Sequence, residues 1–181
     1  MSITQEFLAS AIRRLKYYKD LGDKTFEQLS DIDFNYQPTG ESYSIAIIIQ
    51  HMAGNMLSRW TNFLTEDGEK KWRQRDDEFE IHNYNKQQLI EFWEKGWACF
   101  FTAIGPLSKK DLKKIIYIRK EPLTVINAIN RQLAHYPYHV GQIIFIAKMI
   151  KDNKWINLSI TKNHTENYTI STEIKDPAKK F

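Results

Sequence analysis

The chain has 181 residues, 42% of them hydrophobic, with only 7 Gly and 5 Pro, a length that suits one domain, or a domain with a tail, around a substantial core. Lys and Arg number 26 against 22 Asp and Glu, for a net charge of +4; this mixed, mildly basic balance excludes compositional disorder, a collagen-like repeat and an acidic tail protein. The single cysteine, Cys99, excludes an intramolecular disulfide framework and a cysteine-based zinc finger.

Four stretches carry helical periodicity. The first runs from about Ser2 to Leu29, with Leu8, Ala11, Ile12, Leu15 and Tyr18 at spacings of three and four. Asp31 to Glu41 breaks the pattern with Pro38 and Gly40. The second helix starts with Ser42 or Ser44 as N-cap and continues to about Leu64, its stripe formed by Ile45, Ile48, Ile49, Met52, Met56, Trp60 and Phe63. Glu66 to Asn83 is a charged connection, long enough to be functional or partly helical itself. The third helix spans Lys86 to Ile104 and stops at Gly105-Pro106. Ser108 to Glu121 is basic and then β-branched, at Ile115, Ile116 and Ile118, as an extended segment would be. The fourth helix begins near Pro122 as a first-turn proline and runs to about Lys151. After Trp155 the chain turns polar, reading as a strap followed by a loose end.

The expected architecture is therefore an all-α four-helix bundle, with long second and third connections that allow a crossover. The N-terminus MSITQEFLAS lacks the pattern of a secretory signal, and no apolar run approaches about 18 residues. The expectation is a soluble, cytoplasmic protein with no membrane partner.

His135 and His139 are four apart on the fourth helix, one turn along the axis and about 40° around it, so both imidazoles can face one ion. They border the apolar stripe beside Gln132 and Gln142. His51 holds the margin of the second helix's stripe, with Asn55 and Arg59 on the same edge one and two turns later. Bundles build metal sites from such facing margins, and three imidazoles leave a coordination position open for water or substrate. No Asp or Glu stands in either histidine cluster, so no fourth protein ligand is evident. The other reading makes each histidine a hydrogen-bonded, half-buried residue.

His82, in a charged loop, and His164, in the polar tail, read as ordinary surface histidines, and Cys99 reads as a packed thiol with no adjacent base. The basic run Lys109, Lys110, Lys113, Lys114, Arg119 and Lys120 lacks interleaved aromatics and is expected to be a solvated face, with no nucleic-acid partner.

The stretch from Tyr43 to Asn55, YSIAIIIQHMAGN, resembles the second helix of the DinB/YfiT-like superfamily of metal-dependent bacterial proteins. Asn130 to Ile143, NRQLAHYPYHVGQI, resembles its His-x-x-x-His helix, and DGEKKWRQRDDEF (67–79) and WINLSI (155–160) are similar to segments of one branch of unknown function. The resemblance implies a bundle over 1–160 with up-down-down-up topology and a C-terminal strap, followed by a polar tail over 161–181, and often a homodimer. It also implies a divalent metal, zinc or nickel first and iron next, on His51, His135 and His139. Asn55, Arg59, Gln132 and Gln142 then become supporting or substrate-contacting groups, with Arg59 suited to a carboxylate. The implied activity is a thiol-dependent S-transfer or a hydrolysis on a small-molecule substrate, with a low-molecular-weight thiol such as bacillithiol as cofactor. The alternative is a non-enzymatic metal- or ligand-binding stress-response bundle. Pro137 lies between two of the implied ligands, where it removes a helical hydrogen bond and predicts a kink.

Overall fold

The computed structural model describes residues 2–181. Helix α1 (Ile3–Glu27) opens on a reciprocal cap: the Ser2 hydroxyl accepts from the Gln5 amide, and the Gln5 side chain accepts from the Ser2 amide. Two N–H groups with no partner inside the helix are thereby satisfied. Helix α2 (Ile45–Trp60) takes Ser44 as its N-cap, not Ser42. It stops at Trp60, short of the expected Leu64, because the chain turns at Asn62 with φ of 50°, a left-handed conformation that Asn tolerates. Helix α3 (Lys86–Ile104) repeats the reciprocal cap with Asn85 and Gln88 and ends before Gly105-Pro106, as expected.

Helix α4 (Val125–Lys151) starts later than Pro122 suggests. Pro122 instead belongs to a small antiparallel hairpin of β1 (Ile115–Ile118) and β2 (Glu121–Thr124), where it stands opposite Tyr117. Both strands of a two-stranded sheet are edges, so a residue without an N–H is tolerated there. Thr124 then caps α4 by accepting from the Asn127 amide. The hairpin turn is Arg119-Lys120, with φ of 55° and 66°, the two-residue geometry that Asn-Gly usually supplies. Here the Asp67 carboxylate holds it, accepting from both turn amides at 2.9 and 2.7 Å.

Residue pairings give the topology. Ala53 approaches Gly96, Met56 approaches Cys99, and Trp60 meets Phe100 edge to face, so α2 and α3 run in the same direction. Lys86 reaches Phe26, and Gly22 lies against Trp93, so α1 and α3 are antiparallel. Phe7 and Ala11 share a groove with Leu133, while Gln28 bonds Ile156, which makes α1 parallel to α4. The bundle is up-down-down-up. Trp93, Trp97, Phe100 and Tyr136 fill its centre, fully buried.

Helix α4 passes through Pro137 without a break. Beyond it, Trp155 and Leu158 pack on the core as a strap, and a short helix α5 (Thr165–Ile170) follows. The chain end, read from composition as loose, docks on α1: Ala178 is buried, Asp176 pairs with Arg14 at 3.2 Å, and Phe181 lies against Tyr17. Among the described residues, no helix is long and apolar enough to cross a membrane.

Candidate metal centre

His51 of α2 and His135 and His139 of α4 converge. His135 Nε2 lies 3.4 Å from His51 Nε2 and 3.1 Å from His139 Nε2, and one ring nitrogen from each residue is within 4.8 Å of the other two. Nitrogens sharing one ion at about 2.0–2.1 Å stand about 3.0 Å apart at right angles and about 3.4 Å apart in a tetrahedron. The two spacings from His135 match that range. Pro137 therefore leaves the two α4 rings within reach of a common point.

Hydrogen bonds on the far side of the rings set where the protons sit. His51 Nδ1 donates to Glu78 Oε2 at 3.1 Å, since an ionised carboxylate can only accept. His139 Nδ1 donates to Gln142 Oε1 at 2.7 Å, and the Gln142 amide donates to the Tyr138 hydroxyl. With the proton held on Nδ1, the ring nitrogen that faces His135 is Nε2 in both. One N–H on His135 satisfies only one of those two nitrogens, whereas a cation at the convergence point satisfies all three.

Burial, reinforced by the neighbouring His139 and His51, pushes the His135 pKa down to about 3. Burial also lowers His139, to about 4, with the Gln142 bond opposing it. Both rings are thus neutral near pH 7, the form that can donate a lone pair to a metal.

Glu78, Arg73 and Phe79 come from the charged connection, and the sequence reading missed all three. Glu78 is buried and receives two hydrogen bonds from Arg73, 2.7 Å from Nε and 2.8 Å from Nη2. Burial raises the Glu78 pKa, but the bonds from Arg73 and His51 outweigh it and hold the carboxyl below its ordinary range. Carboxylate–histidine pairs of this kind orient metal-binding rings. Phe79 covers the His51 ring at 4.8 Å and is itself packed on Tyr43. The length of the connection was the only signal for them.

The remaining sequence candidates divide. Gln142 touches a histidine, as described. Asn55 is buried and accepts from the Tyr136 hydroxyl, which also accepts from the Trp60 indole. Gln132 is 2% exposed, with its Oε1 unpartnered. Arg59 is tied through Nη1 to the Gly68 carbonyl and to Glu69; burial lowers its pKa, and Glu69 opposes this. His82 stays at Asp77, and His164 stands at the start of α5. Cys99 contacts Met56 and Thr61 with no base beside it.

Comparison with curated proteins and with solved structures gives no match. A family model does match, over residues 2–164, and its description is a protein of unknown function (DUF1572). That span takes in all four bundle helices and the three converging histidines, and the chain belongs to the DUF1572 family.

Proposed function

We propose that this protein is a divalent-metal-dependent enzyme of the DinB/YfiT-like kind, acting on a small molecule by thiol-dependent S-transfer or by hydrolysis. The convergence of three imidazoles, with His135 Nε2 at coordination spacing from the Nε2 atoms of His51 and His139, carries this reading. His51, His135 and His139 would hold the ion, and the all-nitrogen donor set suits zinc, nickel or iron. When bound, such an ion acts as a Lewis acid that brings a thiol or water near neutrality in pKa.

The chain's own groups prepare the site. Glu78 keeps the His51 proton on Nδ1, and Gln142 does the same for His139, so both rings present Nε2 without rearrangement. Arg73 neutralises Glu78 and fixes its carboxylate plane by a two-pronged contact. Phe79 excludes water from the outer face of His51.

Elemental analysis of untagged protein, wild type beside His135→Ala, tests the reading. The expected result is about one divalent ion per chain in the wild type and its loss in the variant, with turnover of an electrophile in the presence of a thiol such as bacillithiol. No metal in the wild type after incubation with zinc and nickel refutes it. Stoichiometric metal with no turnover on thiol or hydrolytic panels favours a non-catalytic metal-binding bundle.

A further inference from the structure

Three arginines from three elements meet beneath the hairpin turn: Arg59 of α2, Arg119 of the turn and Arg131 of α4 line a polar cavity of about 150 Å³. We infer that this cavity binds a small oxyanion, the carboxylate or phosphate end of a small molecule.

The donor arrangement supports it. The protein contacts of Arg59 all run through Nη1, leaving Nε and Nη2 of a buried guanidinium uncommitted. Arg119 is held through Nε by the same Glu69 carboxylate, which leaves its two terminal nitrogens uncommitted. Arg131 enters no ion pair among the described residues. Glu69 thus serves two of the three guanidinium groups, and Glu121 is the one carboxylate in the lining. With Asp67 at the turn the nearby charges balance, and what the cavity offers an anion is the uncommitted N–H pairs, whose planar geometry matches carboxylate and phosphate oxygens. The turn that carries Arg119 is built from two non-glycine residues with positive φ, pinned by Asp67, so Arg119 is set at the cavity's rim by a fixed backbone. The volume accommodates one oxyanion group with a water or two.

The inference does not depend on a metal, and its test keeps the two apart. Wild-type protein and a His135→Ala background, which removes the histidine centre as a competing site, are titrated calorimetrically with inorganic phosphate and, separately, with acetate. Chloride holds the ionic strength constant, so that general screening does not register as binding. The expected result is saturable binding of at least one anion in both proteins, weakened about tenfold by Arg131→Ala, whose side chain is at the surface, and similarly by Arg119→Ala. Saturation by phosphate alone narrows the ligand to a phosphate ester, and saturation by acetate alone narrows it to a carboxylic acid. Absence of saturation by either anion up to about 50 mM overturns the inference. So does binding that survives both arginine variants undiminished.

Discussion

Glu78→Gln is the most informative single change, because one carboxylate serves both the fold and the histidine centre. Its Oε2 accepts from His51, and both oxygens accept from Arg73, whose side chain is 2% exposed. Glutamine keeps the size and one acceptor but removes the charge, leaving the Arg73 cation buried without a counter-ion. Removing one partner of a buried pair costs about 3–5 kcal/mol. The glutamine oxygen retains part of the contact, so the lower end, about 3 kcal/mol, is expected. At about 2–4 °C per kcal/mol for a chain of this size, melting should fall by about 10 °C. Metal affinity should fall about 10- to 100-fold, because His51 loses the acceptor that fixes its proton on Nδ1. Calorimetric melting of the chelated protein and a zinc competition assay against a chromophoric chelator read the two effects separately. Arg73→Met combined with Glu78→Gln removes the stranded cation and should recover much of the melting temperature while leaving the affinity low. A folded Glu78→Gln protein with wild-type zinc affinity would refute the orienting role, and an unchanged melting temperature would refute the buried-pair argument.

Two further outcomes follow from the same site. Folded His135 and His139 bind protons more weakly than their ordinary value of 6.5, at about 3 and about 4, so between these values the unfolded chain holds more protons. Stability of the metal-free protein is then fully present above about pH 6.5 and declines as pH drops toward 4, with Glu78 adding to the loss below its ordinary range. Melting in chelator from about pH 7.5 to 4.5 checks this, and a slope just as steep in the His135→Ala/His139→Ala protein would contradict it. Gly54→Ala would ordinarily stabilise a helix by about 1 kcal/mol, but a Cβ at Gly54 would overlap the Glu78 carboxylate. The expected result is lower zinc affinity and lower stability together, and a more stable variant with unchanged affinity would count against the contact.

The helices were legible because their buried faces recur at three and four residues and their ends carry local chemistry. Ser44, Asn85 and Thr124 are capping side chains within three residues of the amides they satisfy. Pro122 misled for the same local reason: a proline suits a first helical turn and an edge strand alike, and only the pairing of Tyr117 with Pro122 decides between them. The histidines were legible as candidates because helical spacing fixes which side of a helix each occupies. Glu78 was not, since it reaches His51 across 27 positions from an irregular segment with no periodicity. Charged residues crowd that segment, and composition does not separate the one buried carboxylate from its exposed neighbours Asp76 and Asp77.

The topology explains why the supporting residues come from that segment. Parallel α2 and α3 require the chain to travel back along the full length of α2, about 24 Å for 16 residues, before α3 can begin. The contacts follow that return in order: Gly68 and Lys70 bond Ser58, then Glu78 bonds His51, and then Phe79 packs on Tyr43. A return path of this kind passes every turn of α2's open edge, including the one that carries His51. An antiparallel α2–α3 pair could be closed by a few residues, and nothing would then cross His51. The arrangement that puts His51 opposite His135 and His139 therefore also lays a covering segment across it, and in this chain that segment contains the carboxylate and the aromatic ring the histidine uses. Shortening the return would strip the centre of both while leaving the four-helix core in place.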